Sequence, residues 1–212
     1  MILYVDACAR RESRTRGLAE FLLSHLADEV ETVRLAEIDF PRVDAAFLDR
    51  RYDCVARRDY GDPVFDLAKQ FARADTIVIA APYWDLSFPA ALKQYIEQIC
   101  VLGLTFRYNE REEPESLCRA RRLWVVTTAG GRIVSPAYGS GYLEAVAKTF
   151  FGVPETVTVA AEGLDLLGAD VEAILRRARE EILRVLDKTA GNPYHLQQKQ
   201  DPAGSGKEAC CE

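Results

Sequence analysis

The run from Thr76 to Glu97 reads "TIVIAAPYWDLSFPAALKQYIE". Its opening, Thr76–Ala81, is β-branched or apolar nearly throughout, with no polar alternation, as in a strand covered on both faces. Its second half places Phe88, Leu92, Tyr95 and Ile96 on one helical face, which Ile99 extends. A buried strand that hands over directly to an amphipathic helix is half of a βαβ unit. Between the two sit Pro82, Tyr83, Trp84 and Asp85. Pro82 stops the strand ladder. Ser87 is placed to cap the helix, and Pro89 fits its first turn. The segment Tyr83–Leu86 is thereby pinned at both ends, and its N–H groups cannot all join the sheet. Such a backbone, flanked by aromatics, suits the edge and face of a planar heterocycle. A hydrophobic plug closing the sheet is the plainer alternative.

The same grammar recurs along the chain. "ILYV" (Ile2–Val5), "LWVVTT" (Leu123–Thr128) and "ETVTVA" (Glu155–Ala160) read as further buried strands, and the alternating "VETVRLAEI" (Val30–Ile38) as an edge strand. Leu18, Leu22 and Leu26 share a helical face after Ser13–Thr15. A longer stripe runs through Val171, Ile174, Leu175, Ala178, Ile182, Val185 and Leu186, with Asp170 as its N-cap. Strand and helix alternate five times, which predicts right-handed crossovers and a parallel sheet. The Arg- and Asp-rich insert Pro41–Asp59 is expected to form a helix and loop over one edge. Residues 1–190 then form one domain, and the apolar-poor stretch 191–212 reads as a flexible tail.

Composition narrows the function. A chain of 212 residues holds one sizeable core, and its net charge of −6 does not suit a nucleic-acid or anionic-membrane coat. An anionic ligand therefore needs a local cluster of donors. The opening "MILYVDACARR" places apolar residues before its charges, the reverse of a secretory signal, and no apolar run approaches a bilayer span. The six cysteines are scattered without a C-x-x-C pair, as in a cytoplasmic protein with reduced thiols and no metal site.

Ligands of open α/β sheets sit beyond the carboxyl ends of the strands, near the switch in strand order. That rule selects three loops. The first, "DACARRESRT" (Asp6–Thr15), offers Arg10, Arg11, Ser13, Arg14 and Thr15 ahead of a helix N-terminus, which makes a phosphate cradle. The alternative is that Ser13 caps the helix and the arginines are solvated. Neither G-x-x-x-x-G-K-[ST] nor G-x-G-x-x-G is present, which points to a mononucleotide. The second loop is Pro82–Phe88. The third, "AGGRIVSPAYGSG" (Ala129–Gly141), carries Gly130 and Gly131, whose backbone can approach a ligand closely or adopt positive φ.

"APYWDLSFPAALKQYIEQICVLGLTFRY" (Ala81–Tyr108), followed by "TTAGG" (Thr127–Gly131), resembles the flavodoxin-like NAD(P)H-dependent oxidoreductases, among them FMN-dependent NADH-azoreductases and quinone reductases. The resemblance runs to about Asp187, and its most specific part is P-x-W-x-x-S-x-P-A-x-L-K-x-Y-I-[DE] leading into G-[LIV]-T-F-R-Y. It implies a flavodoxin-like, doubly wound, five-stranded parallel sheet with helices on both faces. It also implies FMN as cofactor, NADH or NADPH as donor, a quinone, azo or nitroaromatic acceptor, and a homodimer. By position the phosphate loop falls on Arg10, Ser13, Arg14 and Thr15. The loop along the isoalloxazine edge falls on Pro82, Tyr83, Trp84, Asp85 and Leu86, and that toward the pyrimidine on Thr128, Ala129, Gly130 and Gly131. Asp85 and Leu86 stand where many azoreductases carry asparagine and phenylalanine.

The implied reaction is ping-pong and needs no general acid from the protein: His25 lies on the first helix and His195 in the tail. Amides of Gly130 and Gly131 are placed to stabilise charge on the reduced ring. Trp84, Phe106, Tyr108 and Tyr138 are candidate walls for a flat acceptor, or core residues. A flavodoxin-type electron carrier is the rival reading, although its compact [ST]-x-T-G-x-T loop is absent. A phosphoacceptor receiver would need an aspartate where Ala80 and Ala81 end the third strand, and an iron–sulfur flavoprotein would need a cysteine cluster.

Overall fold

The computed structural model describes residues 1–190, so the tail expected at 191–212 lies outside the described residues. In chain order the elements are β1 (Ile2–Asp6), α1 (Arg14–Leu23), β2 (Val30–Arg34), α2 (Ala45–Arg57), α3 (Asp66–Arg73), β3 (Thr76–Ala80) and α4 (Ala90–Ile99). Then come β4 (Phe106–Tyr108), β5 (Pro114–Ser116), β6 (Arg122–Thr128), α5 (Ser140–Thr149), β7 (Glu155–Ala161) and α6 (Val171–Ala190).

Five strands pair in parallel in the order β2-β1-β3-β6-β7, and β4 with β5 makes a separate antiparallel hairpin. The main order reverses at β1, so the switch point falls between β1 and β3. Strand side chains alternate between faces. Leu3, Val5, Ile77, Ile79, Leu123 and Val125 pack with Phe71 of α3, Leu92 and Tyr95 of α4, and Leu143 of α5. Ile2, Tyr4, Val78, Trp124 and Val126 pack with Leu18 and Leu22 of α1 and Ala178 and Ile182 of α6. Both faces are covered, which is why the central strands lack polar alternation.

Two local expectations change. The edge strand expected over Val30–Ile38 ends at Arg34 and passes into a 3-10 turn at Leu35–Glu37. Its partner β1 supplies no further rung, since Asp6↔Arg34 closes the register. Ser87 does not cap α4. Pro89 occupies the N-cap position, while Ser87 exchanges backbone hydrogen bonds with Trp84 and donates its hydroxyl to the Tyr138 carbonyl. Asp170 does cap α6, its Oδ1 accepting the Ala173 amide at 2.9 Å. The insert forms α2, and Arg51 ties it to the carbonyls of Glu97 and Cys100 at the end of α4.

Candidate functional site

The loops after β1, β3, β6 and β7 surround a cleft of about 740 Å³ at the carboxyl end of the sheet. Such a volume lies within the range of small-molecule and cofactor sites. Of the residues expected at the site, Arg10, Ser13, Arg14, Thr15, Pro82, Tyr83, Trp84, Thr128 and Gly130 line it. Asp85, Leu86, Ala129 and Gly131 do not. They sit in the same loops but outside the lining.

The first loop is organised from beneath. The Asp6 carboxylate, 1% exposed at the end of β1, accepts the Cys8 amide at 2.9 Å and Nε of Arg16 at 2.6 Å. That bond holds the Arg16 guanidinium above its usual pKa. Its other nitrogens donate to the carbonyls of Cys8, Arg10 and Arg11 at 2.9, 2.9 and 2.6 Å. Ser13 is the N-cap of α1, accepting the Arg16 amide at 3.3 Å, so the capping reading of Ser13 holds while the residue also faces the cleft. Burial pushes the Cys8 thiol up to about 12, so it is protonated at neutral pH and is no nucleophile there.

Thr15 is 1% exposed, and its hydroxyl shares a 2.6 Å hydrogen bond with that of Thr128. This bond stitches the first loop to the end of β6. Whichever hydroxyl donates, the other keeps its proton and can offer it to a ligand.

In the second loop, Trp84 and Ser87 bracket a two-residue turn in which Asp85 (φ 49°) and Leu86 (φ 67°) both adopt left-handed backbone. Type I′ hairpins require that conformation twice and favour Asn-Gly, so Leu86 holds it against its own sterics. Pro82 lies just past the end of β3, and the Tyr83 amide bonds the Thr128 carbonyl at 2.9 Å, which fixes the loop beside β6. Trp84 lines the cleft at 37% exposure, whereas Leu86 stands clear of it at 50%.

The third loop departs from expectation in detail. Neither Gly130 nor Gly131 has positive φ. Gly130 makes a close approach instead: a Cβ there would lie 2.3 Å from Oδ2 of Asp165, so that side chain would have to move. At Gly131 a Cβ would meet nothing within 4 Å. The carbonyls of Ala129, Gly130 and Gly131 accept the amides of Leu164, Asp165 and Gly163, so the loop after β7 is zipped to it. Asp165 reaches across and pairs with Arg14 at 2.8 Å. Leu164 and Asp165 thus line the cleft, and sequence reasoning missed both. The strand-end rule that found the other loops would have found this one had it been applied to Glu155–Ala160 as well.

The proposed acceptor walls separate. Trp84 lines the cleft. Phe106 packs against Phe150 with ring centroids 4.9 Å apart and does not line it. Tyr108 and Tyr138 are largely exposed, at 54% and 65%, and neither lines the cleft. No described helix is long and apolar enough to cross a membrane.

An all-parallel five-stranded sheet with this strand order and a cleft at its switch point defines a doubly wound mononucleotide-type architecture. The chain belongs to the family described as having a flavodoxin-like fold, which it matches over residues 1–186. It is 35% identical over 191 residues to the FMN-dependent NADH:quinone oxidoreductase 2 of Clostridium acetobutylicum, covering 85% of this chain and 94% of that one. A protein of the same name from Clostridium perfringens is 32% identical, covering 88% and 98%. Among solved structures, an azoreductase from Bacillus anthracis superposes with a TM-score of 0.75 at 24% identity, covering 88% of this chain and 98% of that one. An FMN-dependent NADH-azoreductase from the same species, in complex with FMN, superposes at 0.74 with 21% identity, covering 90% and 99%. At such identities the structural likeness speaks for the fold alone.

Proposed function

We propose that the protein is an FMN-dependent NAD(P)H oxidoreductase that passes a hydride to a quinone, azo or nitroaromatic acceptor by a ping-pong reaction. The observation that carries this reading is the arrangement of the cleft. Arg10, Ser13, Arg14 and Thr15 gather at the β1 end, and Tyr83, Trp84 and Gly130 at the β3 and β6 ends. Relatives named as FMN-dependent NADH:quinone oxidoreductases that align over most of the chain support it.

The residues present fit FMN. Two arginines and two hydroxyls supply a dianion with charge-assisted donors in an otherwise acidic chain. Amides of Gly130 and Gly131 have no acceptor among the described residues, since these loops bond through their carbonyls. When bound, FMN supplies the hydride chemistry, and the protein binds, orients and screens it. Thr15 and Thr128 close the floor of the cleft, and Trp84 presents a rigid aromatic beside it. The glycine amides give fixed dipoles toward negative charge on a bound ring. The Cys8 thiol in the lining is kept protonated by burial, so it offers no thiolate to the cleft.

The exposed Trp84, Leu86, Val134 and Tyr138 lie on the loops around the cleft, and their burial favours a homodimer with the site near the interface. Replacing Ser13 and Thr15 together with alanine is expected to raise the dissociation constant for FMN by about tenfold to a hundredfold. A titration showing unchanged affinity would remove the phosphate assignment.

A further inference from the structure

Arg16 is absent from the cleft lining, yet every hydrogen bond its guanidinium makes goes to the loop that forms one end of the cleft or to the strand end beneath it. Three carbonyls, those of Cys8, Arg10 and Arg11, converge on it, and the buried Asp6 carboxylate holds Nε. All peptide bonds in the described chain are trans. In a trans peptide the N–H points opposite the carbonyl. The amides of Ala9, Arg11 and Glu12 must therefore point away from the guanidinium, and none has an acceptor among the described residues. Ala9 and Glu12 line the cleft. A loop whose carbonyls are gathered on one side leaves a concave row of donors on the other, the arrangement that holds anions without a glycine-rich signature.

We infer that Arg16, held by Asp6, is a positioning residue: it folds the 8–12 loop around its guanidinium so that the loop's amides, with Arg10 and Arg14, form a preformed receptor for the terminal phosphate of the cofactor. The inference rests on the FMN reading above. It accounts for two features that capping of α1 leaves unexplained, namely a carboxylate at 1% exposure at a strand end and an arginine side chain only 20% exposed beneath a polar loop. The Asp6 carboxylate is buried, so leaving it without its arginine partner is costly. Lysine cannot replace it, because one ammonium cannot span a carboxylate and three carbonyls.

The test compares FMN with riboflavin, which has the same ring system and no phosphate, on wild type, Arg16→Met and Arg16→Lys. Affinities are read by quenching of flavin fluorescence. Hydrogen exchange of the Cys8 amide, which the Asp6 carboxylate accepts at 2.9 Å, is followed in the cofactor-free proteins as the reporter of loop order. Both variants are expected to lose about tenfold or more in FMN affinity while riboflavin affinity stays within about twofold. Exchange in the loop should rise without a change elsewhere in the sheet. Arg16→Lys keeps the charge and decides the matter should Arg16→Met not fold. Equal losses for FMN and riboflavin, unchanged FMN affinity, or a loop no more mobile in the variants would overturn the inference. Wild type that binds neither flavin would instead remove the cofactor reading, with the exchange data still reporting on the loop.

Discussion

Gly130 and Gly131 are adjacent, yet the structure asks different things of them. Alanine at 130 would drive its Cβ against Asp165, so that side chain must shift and its pairing with Arg14 must loosen. Alanine at 131 meets open space. Gly130→Ala is expected to weaken FMN binding severalfold in a titration while Gly131→Ala leaves it unchanged; the reverse order would contradict the placement of the loop. The cysteines make a second prediction at this scale. Burial, first by desolvating the thiolate, raises Cys8 and Cys118 to about 12 and Cys100 to about 11 from an ordinary 9.0. The folded chain keeps these protons where the unfolded chain releases them. Their contribution is thus fully present below about pH 9 and is lost as pH rises through 11 to 12. Urea midpoints should fall across that window, and less steeply in a variant with all three replaced by alanine. An identical fall in both proteins would show that the thiols do not titrate this way.

Among elements, the Trp84–Ser87 hairpin is the one held against local preference. Left-handed backbone costs an L-residue about 1–2 kcal/mol, while glycine costs about 0.5–1 kcal/mol more in lost freedom. Leu86→Gly should therefore gain up to about 1 kcal/mol in urea unfolding of the monomer. A loss of more than about 1 kcal/mol would show that the Leu86 side chain is engaged, as at a subunit interface. Elements also show what sequence could and could not reveal. Thr76–Ala81 and Leu123–Thr128 announce themselves because strands covered on both faces need apolar residues at every position. The α6 stripe does so because its polar and apolar faces differ. Ser87 looked like a cap because its type and spacing were right, but the hairpin had already claimed its backbone. The β4–β5 hairpin left no readable signal, being three residues a strand and largely exposed. The loop that carries Asp165 was within reach of the strand-end rule, but its pairing with Arg14 was not, since that depends on β7 lying beside β6, a neighbour relation no single segment encodes.

For the molecule as a whole, the site is a product of strand order. Pairing β1 with β3 and β3 with β6 brings Arg10, Trp84 and Gly130 from three distant parts of the chain to one edge. The described lining of the cleft is complete by Asp165, ahead of α6, so a chain ending at 195 is expected to retain NAD(P)H-dependent activity. An inactive truncation would assign the remaining residues a role. The central claim is that this cleft holds a flavin reducible by a nicotinamide, and it is tested most directly by the visible absorption spectrum of the FMN-loaded protein, recorded anaerobically before and after NADH or NADPH. The account predicts an oxidised flavin spectrum that bleaches with at least one of the two nucleotides and returns on adding a quinone. A flavin that binds but stays oxidised would contradict the reductase and favour an electron carrier, and a protein that takes up no FMN would contradict the site itself.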